Sequence, residues 1–296
     1  MRGRLSPHGS SGELPPDGSS TSLGGPRRKR IVAGLVGGGI VLALAGAAFL
    51  APAGRSAPQA IAPGFPGGPY FALTCGFSHM NNDDAIVFAG RPGRSHSHTY
   101  FGNRSTNAAT TATSLLGGRT TCESETDAST YWVPTLYEGR ESVTPLTGIV
   151  YYVKRTWADV TAFPAGLKLV VGKAKARKRQ PKAVVSWSCG GVGGKARFAL
   201  IPQCHEDQLL ALEVSFRDCW NGKSLDSANH KSHMRFSSRG NCPTTHPVAV
   251  PAIVLVLLYP PVSRFAKVSS GKFATHADFI NGWDQPAFEA LVAGLN

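Results

Sequence analysis

All six cysteines of this chain, Cys75, Cys122, Cys189, Cys204, Cys219 and Cys242, lie beyond a run of 20 uncharged, largely apolar residues at positions 31–50. No two of them form a Cys-x-x-Cys pair. An even number of widely spaced cysteines behind an export-like segment reads as up to three disulfides rather than as a zinc cluster. Pairing each with its neighbour gives Cys189–Cys204 and Cys219–Cys242 as local bridges and leaves Cys75–Cys122. A body tied in this way has to hold its strands and turns around fixed crosslinks.

The apolar run follows Arg27, Arg28, Lys29 and Arg30. Its length is what one helix needs to cross a bilayer, and the basic cluster favours the cytoplasmic side. Two routes follow. In one, residues 31–53 are a signal-anchor, and the protein is a single-pass cell-membrane protein with its C-terminal domain outside. In the other, the chain is secreted after cleavage near Ala51, Pro52 and Ala53. The organisation expected is a disordered basic cytoplasmic tail at 1–30, the transmembrane or signal segment at 31–53, a Pro/Gly linker at 54–69 and an extracytoplasmic domain at 70–296.

Within that domain, 34 glycines and 21 prolines across the whole chain punctuate short apolar runs. Alternating or β-branched stretches predict strands near 129–137, 148–153, 167–172, 183–189, 195–201, 209–216, 232–237 and 250–258. Helices are expected at 105–116, ended by Gly117 and Gly118, and at 286–295 behind an Asp284 cap. The fold class is therefore mainly β with a few short helices, in a single disulfide-stabilised sandwich-like domain.

The net charge is +13. Residues 55–296 keep 25 basic and 16 acidic side chains, so the body itself is basic. Such a surface favours an anionic polysaccharide or other wall polymer as partner. Residues 173–182 (KAKARKRQPK) carry six positive charges. A solvated hairpin tip and an anion-binding finger both account for them, and the absence of interleaved aromatics argues against nucleic acid.

Six histidines fall in four short polar motifs: Ser95-His96-Ser97-His98, the stretch from Asp226 to His233, His246 between Pro243 and Pro247, and His276-Ala277-Asp278. Imidazole moves protons near neutral pH and ligates metals. On an extended segment His96, His98 and Tyr100 share a face, as do His276 and Asp278. The step from His230 to His233 places both on one helical face or in one tight loop, with Asp226 able to orient a ring. Taken as one site, the candidate catalytic residues are His96, His98, Asp226, His230, His233, His276 and Asp278. The candidate ligands of a divalent metal ion such as zinc are His96, His98, His230, His233, His246 and Asp278. Tyr100, Trp132, Trp220, Lys231 and Trp283 are candidate substrate-binding residues, the tryptophans as sugar-stacking surfaces. Each motif also has a purely structural reading, as a polar turn or a buried hydrogen-bonded pair.

The segment 84–102 (DAIVFAGRPGRSHSHTYFG), Tyr131-Trp132-Val133-Pro134, Cys219-Trp220-Asn221-Gly222, the stretch 225–234, Cys242-Pro243 with His246-Pro247, and His276-Ala277-Asp278-Phe279 with Asn281-Gly282-Trp283-Asp284 resemble the DUF1996 family. That is a family of exported proteins of actinobacteria and fungi named for its unknown function. The resemblance spans nearly all of 72–296 and implies an association with walls or glycans, but no established reaction. The family pattern commonly has Asp where this chain has Asn229, and Asp-Pro-Ile-Val where it has Asp84-Ala85-Ile86-Val87.

Two functions fit. One is a polysaccharide hydrolase or lyase, whether metal-dependent, a two-carboxylate glycosidase using Asp226 and Asp278, or a lyase with a His or Tyr base. The other is a non-catalytic cell-surface module that binds anionic envelope polymer. No Gly-x-Ser-x-Gly, P-loop or His-Glu-x-x-His motif is present.

Overall fold

The computed structural model describes residues 67–296. The tail, the apolar run and most of the linker therefore lie outside the described residues. Among the described residues no helix is long and apolar enough to cross a membrane.

In chain order the strands are β1 Tyr70–Cys75, β2 Phe77–Asn81, β3 His98–Gly102, β4 Thr130–Pro134, β5 Leu136–Glu138, β6 Glu141–Ser142, β7 Thr147–Val153 and β8 Lys168–Gly172. They continue as β9 Val185–Cys189, β10 Leu210–Ser215, β11 Cys219–Trp220, β12 Met234–Arg235, β13 Val248–Ala249, β14 Ala252–Tyr259, β15 Lys267–Val268 and β16 His276–Ile280. Two helices, α1 Ala112–Leu115 and α2 Gln285–Ala293, complete the set.

Ten of these strands build two five-stranded antiparallel sheets, ordered β1-β7-β14-β10-β9 and β2-β3-β4-β16-β8. Period-two alternation divides each strand between two faces. In β16, Ala277 and Phe279 enter the main core with Tyr131, Val133, Phe101, Leu169 and Val171 of the same sheet. The inner face of the first sheet supplies Phe71, Val150, Tyr152, Leu255 and Leu257 to that core. A hydrogen bond of 2.6 Å between the Tyr131 and Tyr152 hydroxyls joins the two layers across it. The architecture is the mainly β, disulfide-tied sandwich that the patterning predicts, and Cys75–Cys122, Cys189–Cys204 and Cys219–Cys242 are all formed.

Local corrections follow from packing. Residues 195–201 form no strand beyond a single bridge from Phe198 to Trp187. The expected strand at 232–237 shrinks to Met234–Arg235. The helix expected at 105–116 shrinks to one turn, capped by Thr111, because Asn103 and Asn107 side chains turn the preceding backbone into Asx loops. The C-terminal helix is capped by Asp284 as expected and covers the core with Phe288 and Val292.

Candidate metal centre

The outer face of the second sheet carries the side chains that the core does not take: His98 and Tyr100 from β3, Trp132 from β4, and His276 and Asp278 from β16. Register aligns them, Tyr100 beside Trp132, Trp132 beside Asp278, and His276 beside Gly172 of β8. The β4–β16 ladder stops at Trp132–Asp278, two residues short of Pro134 and His276. Pro134 has no N–H to continue it. His98, register partner of Pro134, and His276 lean toward each other across that gap. His96 comes from the loop before β3, which Asp83 closes by accepting from the Gly93 and Ala108 amides.

The three imidazoles bring one ring nitrogen each to within 4.8 Å of the others. Two of their tautomers are fixed by main-chain carbonyls, which can only accept. His98 Nδ1 donates to the Asp83 carbonyl at 2.8 Å, and His276 Nδ1 donates to the Ala274 carbonyl at 2.8 Å. Each neutral ring therefore presents a lone pair at Nε2. Those two atoms face each other at 3.4 Å. Protonation is the poor way out. Burial holds His276 down at about 3, and burial with the neighbouring His276 and His96 holds His98 well below the usual histidine range. His96 Nε2 is also buried and has no hydrogen-bond partner. Three inward-facing nitrogens, two of them oriented by carbonyls behind the rings, are a set of donors that could hold a metal ion.

Asp278 stands beside it, with one oxygen 3.6 Å from His276 Nε2. Both of its oxygens are buried without a hydrogen-bond partner. Burial pushes its carboxyl well above the usual range, Asp84 pushes further, and the Lys231 ammonium opposes them. Burial also raises Asp84, whose Oδ1 accepts from the Ile86 and Val87 amides. Lys231 donates to the Gly172 carbonyl and is held below the usual lysine range by burial, against the pull of Asp278. Tyr100 donates to the Asp83 carbonyl at 2.6 Å.

The remaining sequence candidates go elsewhere. Asp226 accepts from His230 Nδ1 at 3.0 Å and lies 3.8 Å from the Lys168 ammonium. A groove of about 580 Å³ opens beside this pair, and none of the three clustered imidazoles lines it. His233 is saturated by Ser227 Oγ and the Lys168 carbonyl, and His246 by Thr245 Oγ1 and the Ser232 carbonyl, so both rings pin loops. Trp132 is fully buried under the site. Trp283 is buried in the main core, stacked on Phe288. Neither ring offers a sugar an open face. Trp220 packs against the core and donates to the Ser224 carbonyl. Asn229 Oδ1 accepts from the Lys231 and Ser232 amides, a loop-capping role that an Asp would fill equally. A second grouping, Cys75, Cys122 and Asp127, has its sulfurs joined as a disulfide and no thiolate to offer an ion.

Sequence reasoning did not single out Asp83 and Asp84 as site residues. Asp83 works largely through its main-chain carbonyl, which side-chain chemistry does not reveal. The adjacent carboxylates in Asn81-Asn82-Asp83-Asp84 were the available signal. No curated protein and no solved structure matches this chain. A family model described as a domain of unknown function matches residues 84–283, which begin at Asp84, take in all three imidazoles and end at Trp283. By that match the chain belongs to the DUF1996 family.

Proposed function

We propose that this domain is an extracytoplasmic metalloenzyme that cleaves wall polysaccharide, holding a divalent ion of the zinc class between His96, His98 and His276. The observation that carries the reading is the pair of Nε2 lone pairs facing each other at 3.4 Å, each ring's own proton being held at Nδ1 by a main-chain carbonyl. A cation between them turns that repulsion into ligation. His96, His98 and His276 would hold the ion, and the chemistry it would supply is activation of water near neutral pH. Asp278 lies outside the cluster of three nitrogens but next to it, placed to accept the proton that water gives up. Lys231 offers positive charge on the same face. The three disulfides support an oxidising compartment, and the apolar run at 31–50 supports delivery there by an anchor or a signal.

The test joins metal analysis to turnover. The purified full chain is expected to carry about one zinc-class ion, and His98→Ala and His276→Ala to carry none while keeping their far-UV circular dichroism. Wild type should release new reducing ends or unsaturated products from a panel of wall polysaccharides, and both variants should fail to. Stoichiometric metal without turnover on any polymer would instead make the domain a binding module. Absence of metal in the wild type would end the reading.

A further inference from the structure

Three loops meet around the imidazole cluster, and together they account for the basic excess of the body. Residues 88–97 lead into His96 and His98 and carry Arg91 and Arg94. Residues 173–182 leave β8 directly after Gly172, the register partner of His276, and carry six lysines and arginines. Residues 263–275 run into His276 and carry Arg264, Lys267 and Lys272. None of the three contains an aspartate or glutamate. Setting these loops aside leaves residues 55–296 with 14 basic against 16 acidic side chains. The net positive charge of the body therefore resides in these three loops.

The loops are stitched to one another and to the site. Gln180 Nε2 donates to both the Phe273 and Thr275 carbonyls at 2.8 Å, fastening the end of the basic tract to the segment before His276. Ser269 Oγ donates to the carbonyl of Ser97, the residue between His96 and His98. Lys173 is close enough to Lys231 to oppose its charge. All eleven basic side chains of the three loops are exposed, so they form a collar facing solvent. Phe265 adds an apolar platform, 71% exposed, with the Arg264 guanidinium 4.8 Å from its ring centre.

We infer that this collar binds an acidic polysaccharide, a polymer of sugar rings bearing carboxylates, and presents it to the three-histidine centre. The inference rests on the proposed function for the centre and adds the substrate class. Repeating carboxylates match an array of cations that outnumbers the acids beside it, Asp83 at the Gly93 amide and Glu138 at the Ser263 amide. The C–H face of a pyranose ring can lie on Phe265 as other apolar faces do. Single-stranded nucleic acid would need successive aromatics for its bases, and the 173–182 tract has none.

The test uses the full chain, with polygalacturonate as probe, dextran as the uncharged control and a single-stranded oligothymidylate as the rival polyanion. Wild type is expected to bind polygalacturonate with an affinity that falls steeply between 50 and 200 mM salt, roughly as polyelectrolyte binding does, and to ignore dextran. The variant Lys175→Gln/Arg177→Gln/Lys178→Gln alters only exposed positions. It should bind at least about tenfold more weakly with a shallower salt dependence, at unchanged metal content. His98→Ala should lose metal but keep polygalacturonate affinity, so failure of the metal reading leaves this readout standing. Unchanged affinity in the triple variant, or tighter binding of oligothymidylate than of polygalacturonate, would overturn the inference.

Discussion

His98 and His276 illustrate how little a single residue decides on its own. Each ring is neutral because it is buried, and each points its Nε2 inward because a carbonyl behind it claims the Nδ1 proton. Asp127, away from the centre, is a cleaner place to observe the effect of burial. Burial lifts its carboxyl from 3.8 to about 6, although it accepts from the Ser129 amide and the Tyr131 hydroxyl. The folded chain thus keeps a proton that the unfolded chain releases at lower pH. The stabilising contribution is complete below pH about 4 and is lost as pH rises through about 6, a change of roughly 3 kcal/mol. Urea midpoints measured from pH 4 to 7 should fall in the wild type and fall distinctly less in Asp127→Asn. Parallel curves for the two proteins would mean that Asp127 does not titrate in this range.

At the level of elements, the centre depends on how closely β8 approaches β16. Gly172 has φ +79°, and a Cβ there would stand 2.8 Å from both His276 Cα and the Thr275 carbonyl. Gly172→Ala is expected to cost about 1–3 kcal/mol in strain and to weaken metal binding by displacing His276. Denaturation and metal titration of the same sample check both effects, and a variant neutral in each would show that the close approach is dispensable. Many of the longer strands were legible in the sequence, although β1 and β2 were not among those expected and residues 195–201 form none. The alternation in His276-Ala277-Asp278-Phe279-Ile280 places His and Asp on one face and Phe in the core, and the structure does the same. Which imidazoles would meet was not legible. His98 and His276 are 178 residues apart and are joined by sheet order and by a β4–β16 ladder that ends short of Pro134, neither of which a local pattern encodes. His233 and His246 were candidate ligands, yet carbonyls and hydroxyls packed against them claimed both nitrogens of each ring.

For the whole molecule, the crosslinks and the core divide the work. Cys75–Cys122 ties the end of β1 in the first sheet to the segment leading toward β4 in the second, across a separation of 47 residues. Removing it as Cys75→Ala/Cys122→Ala is expected to cost about 4 kcal/mol by loop-closure entropy. Chemical denaturation under non-reducing conditions reads that loss, and a change below about 1 kcal/mol would mean that the packed sheets alone hold the two ends. The remaining bridges close shorter loops, Cys189–Cys204 over 15 residues and Cys219–Cys242 over 23. Fold class was readable in advance because it follows from alternation, and the bridges formed are the neighbour-to-neighbour choice among the pairings open to six cysteines, whereas the charged collar emerges only once three distant loops are sewn side by side. The carbonyls of Asp83 and Ala274 that aim the two buried rings belong to the peptide backbone, and every amino acid brings one. Sequence drift at those two positions can therefore change the side chain without erasing the instruction, so long as the chain keeps its path. Relatives that differ at these two positions can still point their histidines the same way.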